Sequence, residues 1–212
     1  MVAQAGLRAR MHNGGMTDAT TSKLRSVPSL PWLPMVAIAM FAAGLLAASR
    51  VLAWRWSLPV AWPGAKGMPV ADAFNVLAFA IPGALMAVTA VRFRLRGEGR
   101  PRAVRQATWM WLVAALAFLA LALARLDPND PDGAGSQWHA ASWTLWWIAA
   151  VLGFATAAIG ARGAARAASL GMAMLILAGV WVLPALAGAG AAQGTAIVAW
   201  MAWPFVFIEG RR

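Results

Sequence analysis

Six uninterrupted apolar runs, each about 18–20 residues long, limit what this chain can fold into. They cover residues 32–49, 73–91, 107–124, 141–160, 168–187 and 191–208. At 1.5 Å of rise per residue each run, as a helix, is roughly 27–30 Å long, the thickness of a bilayer's hydrocarbon core. The runs lack the apolar–polar alternation of a transmembrane barrel strand, so helices are the spanning form that satisfies every backbone group. The sixth is the weakest, because Gln193 and Gly194 stand at its start. The expected fold is all-α, an integral membrane bundle of six transmembrane helices.

Composition agrees. Of 212 residues, 61% are hydrophobic and 12% charged, against about 25% charged in soluble domains. There are 13 Trp and no Tyr; Trp, with its apolar ring and single N–H, is expected at the membrane interfaces. Cysteine is absent, which excludes disulfides, thiol catalysis and cysteine-ligated metals.

A net charge of +11 invites a nucleic-acid reading, but the distribution argues against one. The N-terminal tail, the loops after the second and fourth runs and the C-terminus carry 14 basic residues, Arg92, Arg94, Arg96, Arg100, Arg102 and Arg105 among them, against Asp18, Glu98 and Glu209. The alternate loops hold Arg50, Arg55, Lys66 and Arg125 against Asp72, Asp127, Asp130 and Asp132. All net charge thus falls on one side, and the positive-inside rule places both termini in the cytoplasm. The arginine-rich loop is read as setting topology and touching anionic lipid. Residues 1–30 have no apolar periodicity and read as a disordered cytoplasmic tail, with Met16 and Met35 as alternative starts. Residues 31–212 form the transmembrane domain.

Polar residues within the runs collect at the outer end. On the second, Asp72, Asn75, Phe79, Pro82, Met86 and Thr89 recur at helical spacing and share a face. On the fourth, His139, Ser142, Trp146, Ala149, Gly153, Ala157 and Gly160 form a stripe, polar at the top and small below, expected to face the bundle. The opposite stripe, with Trp143, Trp147 and Phe154, is expected to meet lipid or another helix. Residues 55–71, rich in Pro and Gly, cannot be helical throughout and either lie on the membrane or fold over the bundle. Pro82, Pro184 and Pro204 are expected to kink their helices. Asp72, Asn75, Asp127, Asp130, His139, Ser142 and Trp146 are the candidate ligand-binding residues, with Arg50 or Arg55 nearby and Phe79 in an apolar wall beneath.

No metal, cofactor or catalytic residue is assigned. Asp127, Asp130 and Asp132 resemble the opening of a calcium loop but lack its completing Gly and Glu. A Ser-His-Asp set can be drawn from Ser142, His139 and Asp127, though spacing alone fixes no geometry. The middles of the runs are nearly bare of ionisable groups, which disfavours a transporter.

Residues 57–85, with Pro59-Val60, Gly64-Ala65, Gly67, Pro69, Phe74-Asn75 and Pro82-Gly83, resemble the second-span region of a bacterial and archaeal membrane family labelled "domain of unknown function 998". Asp127-Pro128, Asp130-Pro131 and the following His139 resemble that family's second mark. The resemblance runs from about Pro31 to Ile208 and implies a multi-span bundle, without an activity. The expectation is a multi-pass protein of the bacterial inner membrane that binds a lipid or small hydrophobic ligand at its outer polar site. An enzyme acting on lipid headgroups and a partner-binding subunit without chemistry are the alternatives.

Overall fold

The computed structural model describes residues 31–97 and 99–208. The predicted tail over 1–30, Glu98 and residues 209–212 lie outside the described residues. The fold is all-helical, with no strand among them. The long helices are α1 (Trp32–Val51), α2 (Ala71–Leu95), α3 (Arg102–Ala120), α4 (Ala134–Gly160) and α5 (Gly163–Trp181), and these five are long and apolar enough to cross a membrane. The last apolar run is not one continuous span. After α6 (Leu183–Ala187) it divides into α7 (Ala189–Met201) and α8 (Trp203–Ile208), with a turn at Ala202.

Proline explains several boundaries, and not by the expected kinks. Pro184 and Pro204 each sit at the second position of a new short helix, where a missing N–H costs nothing and the fixed φ is already helical. Pro82 lies within α2, and the chain accommodates it by widening into a π turn over Val76–Ala80 just before it. Between α6 and α7, Gly188 has φ +87, and an added Cβ would lie 2.8 Å from Trp56 O and Ser57 Cα. Both the left-handed backbone and the close approach require glycine there.

The core is aromatic and centred on α3. Trp111 and Phe118, two turns apart on one face, are both fully buried. Phe118 meets Phe79 at 5.2 Å, Trp200 at 5.1 Å and Trp146 at 5.9 Å between ring centroids. Trp111 stacks on Trp203 at 4.1 Å and meets Phe154 at 5.6 Å. The interfacial reading of Trp therefore holds for only part of the set. Trp32, Trp56, Trp109, Trp138 and Trp181 are exposed, but Trp111, Trp146, Trp200 and Trp203 are fully enclosed. Their Nε1 atoms have no hydrogen-bond partner among the described residues. Burying so large a ring in a packed aromatic cluster offsets the lost N–H bond.

Helix faces follow the expected stripes except at Asp72. On α2, Asn75, Phe79, Pro82, Met86 and Thr89 are buried, but Asp72 is exposed. On α4, Ser142, Trp146, Ala149, Gly153 and Ala157 are buried, and Phe154 of the opposite stripe meets another helix, packing on Trp111 of α3.

Candidate functional site

At the end of the bundle opposite the arginine-rich loop, residues 52–70 fold over the helices. Val60, Pro63, Gly64 and Ala65 are buried there. The segment is fastened to every side. The Val60 N–H donates to Gln193 Oε1 at 2.9 Å, and the Lys66 N–H to the Leu126 carbonyl at 2.8 Å. The N–H groups of Gly190 and Ala191 both reach the Trp56 carbonyl, at 2.9 and 3.2 Å, supplying the first turn of α7 with an acceptor. Asn75 Nδ2 donates to the Gly64 carbonyl at 2.9 Å.

Beneath this cover is a cavity of about 240 Å³, lined by Pro59, Ala61, Phe79, Leu121, Leu126, His139, Ala140, Trp143 and Gln193. Its walls are almost wholly apolar. Phe79 comes from the π turn of α2, and Leu121 from the turn that follows α3.

Two polar side chains line it. His139 Nδ1 lies 2.7 Å from the Ala124 carbonyl. A carbonyl oxygen only accepts, so Nδ1 carries the proton and the neutral ring keeps Nε2 as an acceptor. The contact gives a donor to a carbonyl in the turn that follows α3. Gln193 accepts from Val60 through Oε1, leaving its Nε2 amide with two donors. The cavity thus combines an apolar wall with one acceptor-bearing and one donor-bearing residue.

The other predicted site residues are not gathered here. Asn75 is committed to Gly64, and Asp72 forms an ion pair with Arg125 outside the cavity. Asp127 pairs with Lys66 at 3.1 Å and accepts the Asn129 N–H at 3.0 Å. The Lys66 hydrogen bond, followed by the Asn129 N–H, holds the Asp127 carboxyl below the usual carboxylate range. Asp130 is exposed and contributes its backbone carbonyl to Ser136 Oγ at 2.8 Å. Ser142 and Trp146 are buried in the bundle without lining the cavity.

Two expectations change as a result. Asp72 and Asp127 form separate ion pairs at the rim, with Arg125 and Lys66, instead of converging with the other carboxylates on one concavity. Ser142, His139 and Asp127 do not assemble as a triad, because the His139 nitrogen that an aspartate would orient is held by Ala124, and Asp127 is held by Lys66. Among the described residues no group of three His, Asp or Glu side chains could hold a metal ion.

Trp143, Gln193 and Ser136 were not among the predicted site residues. Ser136 Oγ accepts the Asp127 N–H at 3.0 Å and so closes the 127–136 loop. Gln193 carried a signal, being a lone amide at the head of an apolar run. No protein family, curated protein or solved structure matches the chain.

Proposed function

We propose that this chain is a multi-pass protein of the bacterial inner membrane that binds a lipid or small hydrophobic ligand bearing a hydroxyl or similar group. The ligand occupies the cavity between α2, α4 and α7. The observation that carries this reading is that His139 and Gln193 both line an otherwise apolar, half-open cavity. A hydroxyl can donate to His139 Nε2 and accept from the Gln193 amide, while Phe79 and Trp143 enclose the apolar remainder. Ligand sites generally have this composition, with a few polar groups fixing orientation within an apolar wall.

In this reading the chain crosses the membrane six times, one crossing for each apolar run, in keeping with the multi-span bundle that the likeness to "domain of unknown function 998" implies. Support comes from the last segment, which begins against Trp56 at the covered end and has Phe207 accepting from Arg100 at the arginine-rich end. Six crossings with the arginine-rich end inside put both termini in the cytoplasm and the cavity at the outer leaflet.

The test is identification by mass spectrometry of apolar compounds that co-purify with the chain, compared with His139→Ala and Gln193→Ala. One hydroxyl-bearing compound should be retained by the parent and lost from both variants. Identical profiles from all three proteins would overturn the reading.

A further inference from the structure

The opposite end of the bundle holds a second cavity, of about 350 Å³. Its rim is cationic, with Arg96 and Arg100 supplied by the loop between α2 and α3. Its apolar lining comes from Val104 and Phe207, with Ala161 from the link after α4 and Ala165 from the first turn of α5. Contacts with Phe93 and Phe207 are among those that place Arg100 on the wall. Its guanidinium lies 3.9 Å from the centroid of the Phe93 ring and donates to the Phe207 carbonyl at 3.4 Å.

Two long helices begin at this cavity, α3 just after Pro101 and α5 just after Arg162. Neither has a side-chain cap or an acidic residue in its first turn. Their positive dipole ends add to the arginines instead of being neutralised locally. Over residues 92–105 the sequence has six arginines against the single acid Glu98. A cationic rim over an apolar floor, at the ends of membrane-length helices, has the polarity of a phospholipid at its phosphate and first methylenes.

We infer that this cavity is a binding site for the phosphate group of an anionic phospholipid, held at the rim by Arg96 and Arg100 and by the first turns of α3 and α5. The site is separate from the cavity at His139 and stands whichever leaflet each end faces. The arginine loop thereby selects a particular headgroup class, in addition to orienting the chain.

The experiment exposes the full purified chain in detergent to equal phosphatidylglycerol and phosphatidylcholine and counts retained lipids by native mass spectrometry. Phosphatidylglycerol should be retained in preference. Arg96→Gln and Arg100→Gln should each lower its retention about fivefold, the effect of one basic residue beside an anionic headgroup. Arg50→Gln, at the far end of α1, should leave it unchanged. Equal retention of the two lipids, or undiminished phosphatidylglycerol in both loop variants, overturns the inference. Should those variants fail to fold, Ala165→Phe fills the floor while keeping every charge. It too should reduce retention, and no change with it is a refutation. Displacement of the lipid by millimolar inorganic phosphate would reassign the site to a free anion.

Discussion

His139 and Ala124 are joined across the gap between α4 and the end of α3, ring nitrogen to carbonyl at 2.7 Å. This contact fixes the imidazole at the cavity and closes the frayed last turn before the aspartate loop. His139→Ala should therefore lower thermal stability as well as ligand retention. The expected loss is about 0.5–1.5 kcal/mol, the net contribution of one partly buried hydrogen bond. Thermal unfolding followed by circular dichroism reads it, and an unchanged midpoint would mean that the contact contributes nothing to the fold.

Asn75 and Gly64 should behave as a coupled pair. A Cβ on Gly64 would fall inside the Asn75 amide, so Gly64→Ala must displace the side chain that occupies the site. Asn75→Ala alone should cost about 1–3 kcal/mol by orphaning the Gly64 carbonyl. In the double variant the steric part of the Gly64→Ala penalty should vanish. A double-mutant cycle with strictly additive effects would contradict this.

Gly153→Ala tests the aromatic core. The new methyl would lie 2.6 Å from Cδ1 and Nε1 of Trp111, whose ring is enclosed and stacked on Trp203. Overpacking of this kind costs about 1–3 kcal/mol. The midpoint of unfolding should fall and the tryptophan emission should shift. A variant matching the parent in both would show that the ring can move aside freely.

The Lys66–Asp127 pair carries a pH dependence of defined sign. Its carboxyl is depressed by the lysine and by the Asn129 N–H. The contribution of the pair is thus fully present above the ordinary carboxylate range and is lost as pH falls through the depressed value. Carbon-detected NMR of labelled aspartate should show Asp127 titrating below the ordinary carboxylate range, and Lys66→Met should move it back up. Coincident titrations of Asp127 in the two proteins would remove the lysine as the cause.

Topology is open to a direct check. A periplasm-active reporter fused at Gly133 should be active and one fused after Arg212 silent, as six crossings require. Activity at the C-terminus would reduce the count to five.

Much of the architecture was legible because hydrocarbon thickness and apolar run length are matched by physics. Five of the six runs appear as long helices, and the buried faces of α2 and α4 follow the 3.6-residue period. The sixth run was legible in composition but not in continuity, since Pro184, Gly188 and Pro204 divide it. At the site, periodicity identified His139 and Phe79. It failed for Asp72 because the side chain at the head of α2 turns outward to Arg125, a partner 53 residues away that no local pattern reveals. Gln193 was missed for the same reason: its role depends on Val60. The enclosed tryptophans eluded a composition argument, which cannot distinguish an interfacial ring from one inside an aromatic cluster.

The Val60–Gln193 bond joins residues 133 positions apart, and Gly190 and Ala191 are fastened to Trp56 in the same way. During synthesis the covering segment leaves the ribosome early and must wait for almost the entire remainder of the chain before these anchors exist. The cavity at His139 consequently cannot mature until α7 has been made. A nascent chain stalled before α7 would have most of the bundle in place, with an unfastened roof and no chamber beneath it.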